Sequence, residues 1–368
     1  MARFRPAAPF PLRTIACAAA AVAVLVACSK GGSTSDAAPG SALGACFQGG
    51  TAPELQIGSG FANADWNDPH VLKVGAEYWM YASSNLGFPP AGPASSPVQI
   101  YRFTSPDAVT WTLTPATPVL TVTNGQWDQG GNETPAVVFF SGQYHMFWTG
   151  YPDAWPPGPT AVFNFRIGHA TSTDGIAWTK DANFLLGPSN VADFRQYIVG
   201  EPGPVVFNNT LYLYFTAVGV DAGLAAGLQT VGVMTSTDGL AWSAPALAFK
   251  PDQTVYPRGS NWVGYSTPNA VVIDGKVHVF VDVANDHGNN TWTQEALHHA
   301  SSADGLTGWT QDAAPIRRLT DFTWTKREIR SPAAFLDGTT LRLYFAGDDV
   351  LASPNVWGIG QMTCSLAP

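Results

Sequence analysis

The sequence predicts an all-β fold, a five-bladed β-propeller with four antiparallel strands per blade, and three observations predict it. Five segments share one frame, at Asp68-Pro69-His70-Val71, Thr134-Pro135-Ala136-Val137, Glu201-Pro202-Gly203-Pro204, Thr267-Pro268-Asn269-Ala270 and Ser331-Pro332-Ala333-Ala334. Their prolines step by 66, 67, 66 and 64 residues. A second motif recurs later in four of the units, as Ser105-Pro106-Asp107 with Trp111, Ser172-Thr173-Asp174-Gly175 with Trp178, Ser236-Thr237-Asp238-Gly239 with Trp242 and Ser302-Ala303-Asp304-Gly305 with Trp309. Helical periodicity is almost absent. A fixed period of this length marks a repeat architecture, and short strands repeated around a ring make a propeller. A pair of stacked sandwiches gives no reason for so constant a spacing.

The first residues stand apart from the fold. Arg3, Arg5 and Arg13 precede an apolar run from Ile15 to Val26, the pattern of a secretory signal. The run is about a dozen residues, short of the roughly 20 needed to cross a bilayer. It ends in Leu25-Val26-Ala27-Cys28, which resembles a bacterial lipobox, so residues 1–27 are read as a lipoprotein signal and Cys28 as the lipidated residue. By the same resemblance Ser29 favours the outer membrane and places the domain outside the cytoplasm. Residues 28–45, rich in Ser, Gly, Ala and Pro, read as a flexible tether, and 46–368 as the propeller domain.

Within each unit the first strand follows the proline. Nine positions later an apolar or aromatic residue opens a second run, at Tyr78, Tyr144, Leu211, Val277 and Leu341. Turn pairs such as Ser141-Gly142, Asn208-Asn209 and Asp274-Gly275 separate the two runs, so each unit begins with a hairpin. A third strand precedes the serine of the second motif, for example 167–171 or 231–235, and a short fourth follows the tryptophan, for example 184–186 or 246–249. The last unit stops after a third strand through Cys364, and Glu54-Leu55-Gln56-Ile57 is expected to complete it from the N-terminal side. Of the four cysteines, Cys17 leaves with the signal and Cys28 carries lipid. That leaves Cys46 and Cys364, which ring closure would bring together as a disulfide in an oxidising compartment.

Charge narrows the partners. The formal net charge of −9 becomes −12 once the three signal arginines leave, which makes nucleic acid an unsuitable ligand. Only 12% of residues are charged while tryptophan reaches 13 copies, a balance suited to a neutral, stackable ligand such as a carbohydrate. A monomer is expected. No cluster has zinc-site spacing and no glycine-rich phosphate loop stands out, so no metal or cofactor is expected.

The frame also carries chemistry. In a propeller the first strand of each blade lines the axis, so Asp68, Thr134, Glu201, Thr267 and Ser331 should ring one mouth of the channel. Two carboxylates two blades apart, among three uncharged residues, is the pair a glycosidase needs: one acid for the departing oxygen and one base or nucleophile. Trp66-Asn67-Asp68-Pro69 and Gly200-Glu201-Pro202 resemble the catalytic strands of five-bladed propeller glycoside hydrolases. These are the arabinanase and β-xylosidase group (family 43) and the invertase and levanase group (family 32). The scaffold segments Tyr144–Gly150 and Gly168–Gly175 share the likeness.

That resemblance implies Asp68 as general base or nucleophile and Glu201 as general acid. It also implies a third carboxylate in blade two, where this chain has Thr134, with Glu133 beside it and Asp128 upstream. Adjacent strand residues point opposite ways, so Glu133 serves only if a bulge turns it inward. Glu328 and Arg330 precede Ser331 and are candidates for holding a substrate hydroxyl. His70 and His287 are candidates for touching sugar or supporting a central ion or water. Trp66, Trp127, Trp155, Trp262 and Trp324 are candidate stacking platforms. The Ser-x-Asp-Gly turns resemble the Asp-boxes of sialidases without the residue between Asp and Gly. They lie too late in each blade to line the axis, and read as hairpin staples whose tryptophan packs between blades.

Overall fold

The five framed prolines lie inside the first strands rather than opening them, and each marks a β-bulge built like the others. In a computed structural model, which describes residues 43–48, 66–84, 97–152, 164–220, 228–257, 262–287, 292–348 and 357–366, the pairing of first and second strands slips by one residue at each proline. The slips fall at Asn67/His70, Glu133/Ala136, Gly200/Gly203, Ser266/Asn269 and Arg330/Ala333. The residue before each proline takes a left-handed conformation: φ is 52° at Asp68, 50° at Thr134, 54° at Glu201, 48° at Thr267 and 52° at Ser331. A bulge leaves one residue without a ladder partner, and proline suits the place because it has no N–H to orphan.

Around these bulges the chain is all-β and antiparallel, and a single 3₁₀ turn, Leu319–Asp321, is the one helical element among the described residues. The inner strands are Asn67–Val74, Gly131–Phe140, Ile198–Phe207, Trp262–Ile273 and Glu328–Asp337. Each pairs with the strand that follows it: Glu77–Ser84, Gln143–Tyr151, Thr210–Val218, Lys276–Asp286 and Thr340–Asp348. Third strands lie outside these. Neighbouring inner strands pack in a closed order, and the fifth packs against the first. All described residues belong to one unit, Thr34–Pro368.

Units one, two and five are separate four-stranded sheets, whereas units three and four join into one nine-stranded sheet. The join is a single parallel bridge, Gln229 to Gly264. Gly264 explains it: its φ is 137°, and a Cβ there would lie 2.1 Å from the Gln229 carbonyl oxygen, so only glycine permits the approach. The outer strand of unit three, Ala246–Phe249, is as expected, whereas those of units one, two and four are only two residues long. In unit two the fourth strand is Thr179–Lys180, and Leu186 contributes an isolated bridge to Ile167.

The last unit is completed from the N-terminal side, but by Leu43–Gln48 rather than by residues 54–57, which lie outside the described residues. This strand opens three residues inside the expected tether. Cys46 pairs with Cys364 across it and the two form a disulfide. The signal segment and Cys28 lie outside the described residues.

Packing between units follows the second motif. In each copy the serine hydroxyl and the aspartate cap turn amides, as Ser172 Oγ does for Gly175 N at 2.9 Å and Asp174 Oδ1 for Ile176 and Ala177 N at 2.9 Å. The following tryptophan meets an aromatic ring of the preceding unit edge-on: Trp178 on Tyr81, Trp242 on Phe147, Trp309 on Tyr214 and, closing the order, Trp111 on Tyr344. The core is thus a set of layers between sheets, such as the one joining Tyr101 and Phe103 to Phe335, Tyr344 and Ile359.

Candidate active site

The left-handed residues are held by hydrogen bonds from one unit to the next. Thr134 N donates to Ser83 Oγ at 3.0 Å, Glu201 N to Thr149 Oγ1 at 2.6 Å, Thr267 N to Thr216 Oγ1 at 2.9 Å and Ser331 N to Asp282 Oδ2 at 2.9 Å. The exception is Asp68 N, which donates to its own neighbour Asn67 Oδ1 at 2.9 Å. A left-handed non-glycine residue costs about 1–3 kcal/mol and persists only where its surroundings fix it. Five at matching bulges of the inner strands repeat that cost in every unit.

Side chains then meet across the ring. Ser331 Oγ donates to Asp68 Oδ1 at 2.7 Å, and Thr267 N also donates to Glu201 Oε2 at 3.1 Å. The Arg330 guanidinium lies 4.0 Å from Asp68 and 3.7 Å from Glu328, donates to Asn67 Oδ1 at 3.3 Å and covers the Trp357 ring at 4.2 Å. Burial alone would lower its pKa, but Asp68, Glu328, Glu133 and Asp282 raise it. Arg330 is therefore a fixed positive charge among acids.

Glu133 joins this cluster because the bulge breaks strict alternation. Burial, then the charge on Asp68, pushes its carboxyl up to about 8, with Arg330 opposing and Glu201 adding. Glu201 is pushed up to about 7, first by burial, then by Asp282; hydrogen bonds from Thr216 and Thr267 oppose this and Asp68 adds to it. Two carboxyls that hold protons near neutrality thus face carboxylates on other strands, the arrangement that separates acid from base roles.

Asp282 escaped sequence reasoning. It is wholly buried and accepts hydrogen bonds from Ser266 Oγ, Thr267 Oγ1 and Ser331 N. The available signal was an aspartate between Val281 and Val283 in an apolar strand, where a charge is rarely placed without cause. Tyr151 was missed as well: its hydroxyl is buried, and after burial Glu133 and Asp68 contribute most to raising its pKa.

Other expected ligand contacts serve the fold. Trp66 is 0% exposed and packs edge-on against Tyr101 and Phe103, so it is core and no sugar platform. Trp127 stacks on Trp148 with its centroid 6.0 Å away, in space that Gly150 leaves open. Asp128 is buried in an ion pair with Lys180 at 2.5 Å and neither faces a ligand nor replaces the third acid. Thr134 is buried, its hydroxyl 2.6 Å from that of Thr149. His70 spends both ring nitrogens on protein, Nε2 with the Val137 carbonyl at 2.8 Å and Nδ1 with Asn269 Nδ2 at 3.3 Å. Trp324 stacks on Phe345, and His287 pairs with Glu295 at 2.8 Å. Glu328 is buried between Arg327 at 3.1 Å and Arg330. Trp155 and the side chain of Trp262 lie outside the described residues.

No family model matches the sequence, and no curated protein does. Solved structures do. A thermostable family-43 glycoside hydrolase superposes with a TM-score of 0.59 at 16% identity, over 83% of this chain and 95% of that one. A family 117 glycoside hydrolase of the marine bacterium Zobellia galactanivorans gives 0.60 at 14%, over 86% and 92%. An N-acetylgalactosamine deacetylase from F. plautii, solved with blood group B trisaccharide, gives 0.59 at 15%, over 88% and 96%. At these identities the likeness establishes the fold, that of propeller-type glycoside hydrolases.

Proposed function

We propose that this chain is an exported glycoside hydrolase, a five-bladed propeller that cleaves a neutral poly- or oligosaccharide of arabinan, xylan or fructan type with opposed carboxylates. One observation carries the reading: two acids separated by 133 residues of sequence, Asp68 and Glu201, stand at matching left-handed positions, and Glu201 keeps its proton to about pH 7. A proton held there is what a departing glycosidic oxygen requires.

Glu201 acts as general acid, with Thr267 N fixing one of its oxygens. Asp68 acts from the other side, as base toward water or as nucleophile toward the anomeric carbon, its oxygen oriented by Ser331. Glu133 supplies the third acid that the family likeness places in blade two, from one residue earlier in the strand. Arg330, held by Glu328, flanks the Asp68 side and donates to sugar hydroxyls. The signal segment and a lipid on Cys28 would hold the domain at the cell envelope, outer membrane favoured, and the domain is expected to be monomeric.

Leaving-group dependence tests the acid role. Glu201→Gln should lose about 10²–10⁴-fold in kcat on glycosides with poor leaving groups and far less on activated aryl glycosides, whose leaving groups need no proton. Asp68→Asn should be inactive on both. Equal turnover by Glu201→Gln and wild type on an unactivated substrate refutes the assignment. Thr134 at the blade-two position favours a second reading, a glycan-binding propeller without turnover. Binding on a glycan array with no sugar released would select it.

A further inference from the structure

The second strands hold a frame of their own. Ser83, Thr149, Thr216, Asp282 and Ala346 face Asn67, Glu133, Gly200, Ser266 and Arg330 at the bulges. In three units a plain hydroxyl at this position receives the N–H of the next unit's left-handed residue. In unit four the same N–H, that of Ser331, is received by a carboxylate. A serine or threonine would meet the structural need there, as it does elsewhere, and a wholly buried carboxylate is costly. The carboxylate therefore has work beyond closing a bulge.

Its hydrogen bonds indicate what that work is. Asp282 Oδ2 accepts from both the Thr267 hydroxyl and the Ser331 amide, while Oδ1 accepts from Ser266. Thr267 in turn donates its N–H to Glu201, and Ser331 donates its hydroxyl to Asp68. A single buried oxygen is thus one residue away from each of the two opposed acids. We propose that Asp282 is a positioning residue that sets Asp68 and Glu201 relative to one another through Ser331 and Thr267. The inference rests on the glycosidase reading for the roles of those two acids, but the tie itself does not. The charged groups around Asp282 are Glu201, Glu328 and Arg330, with Asp68 reached through Ser331.

Two variants separate shape from charge. Asp282→Thr restores the hydroxyl used in the other units, and Asp282→Asn keeps the outline while removing the charge. Both should fold. Asp282→Thr should lower kcat by about 10–100-fold, the scale of a small misplacement of reacting groups, with little change in KM. Asp282→Asn should move the basic limb of the kcat/KM profile to lower pH, because Glu201 loses the neighbour that resists its ionisation. A readout independent of turnover is the double-mutant cycle of Asp282→Asn with Glu201→Gln in urea unfolding. Coupling that persists at pH 5, where Glu201 holds its proton and charge repulsion is gone, supports the tie, and coupling confined to pH 8 reduces it to direct repulsion. Additive effects at both pH values overturn it, as does an Asp282→Thr enzyme of wild-type kcat. Should the wild type cleave no glycoside while the cycle still couples, the glycosidase reading falls and the tie stands.

Discussion

Replacing Glu201 by glutamine should make the protein more stable in alkali. The carboxyl has an ordinary pKa of 4.5 and is pushed up to about 7 in the fold, by burial first and by the Asp282 charge second. At 1.36 kcal/mol for each tenfold change in proton affinity, ionising it in the folded state costs about 3 kcal/mol more than in the unfolded chain. The sign follows: folded protein binds this proton more tightly, so the penalty is absent below pH 4.5, grows through the interval and is complete above pH 7. Glutamine stays neutral throughout, and its carbonyl oxygen still accepts the Thr267 N–H. With an unfolding entropy of about 2.1 cal/mol/K per residue over roughly 300 residues, the gain corresponds to about 5 °C in Tm. Differential scanning calorimetry of wild type and Glu201→Gln from pH 5 to pH 8.5 reads it directly. Melting curves that differ by the same amount at both ends of that range would refute the assigned burial and charge coupling, because a packing effect has no reason to follow pH.

Three further outcomes follow from the geometry. Removing the seam disulfide by Cys46→Ser should cost about 2–4 kcal/mol, and wild type unfolded in urea with reductant should match the variant; a reductant that leaves the midpoint unmoved contradicts this. Gly203→Ala should lower stability by about 1–3 kcal/mol, since the new Cβ would stand 1.9 Å from the Pro268 carbonyl oxygen where two inner strands meet; a midpoint unchanged in urea would show that the strands part without cost. Burial lowers the pKa of His70, His278 and His298 to about 4, so their stability is complete above the unfolded value of 6.5 and is lost as pH falls toward 4, at about 1.4 kcal/mol per pH unit for each. Glu133 and Glu201 oppose that slope, so the urea midpoint should fall more steeply below pH 6.5 in Glu133→Gln than in wild type.

The repeat and its ring of residues before proline were legible because proline and spacing are local signals. So was the disulfide, since closing the ring leaves two cysteines at one seam. Glu133 was legible only conditionally: alternation directs it away from Thr134's face, and the bulge that overrides alternation is a property of the pairing, not of either strand. Asp282 was hidden for a related reason, since its partners Ser266, Thr267 and Ser331 converge only after two units have packed. Trp66, Trp127 and Asp128 misled in the opposite direction. They sit outside the strand cores in sequence, where an aromatic or an acid reads as available to a ligand, yet Trp66 packs on Tyr101 and Phe103, Trp127 covers Gly150 and Asp128 is buried against Lys180. Glycines opposite large rings are a signal that only a paired structure can interpret.

The seam between Leu43–Gln48 and Trp357–Leu366 also governs when the acid cluster comes together. Every acid of the cluster has been synthesised by Arg330, but the sheet that carries Arg330 and Ser331 stays short of two strands until the chain reaches residue 366 and folds back on its beginning. A chain that stops short of residue 357 holds each of these acids but leaves that sheet two strands short, so the cluster should assemble only once this segment is made rather than by degrees. Deleting Trp357–Leu366 ought then to disperse the cluster without touching one of its acids.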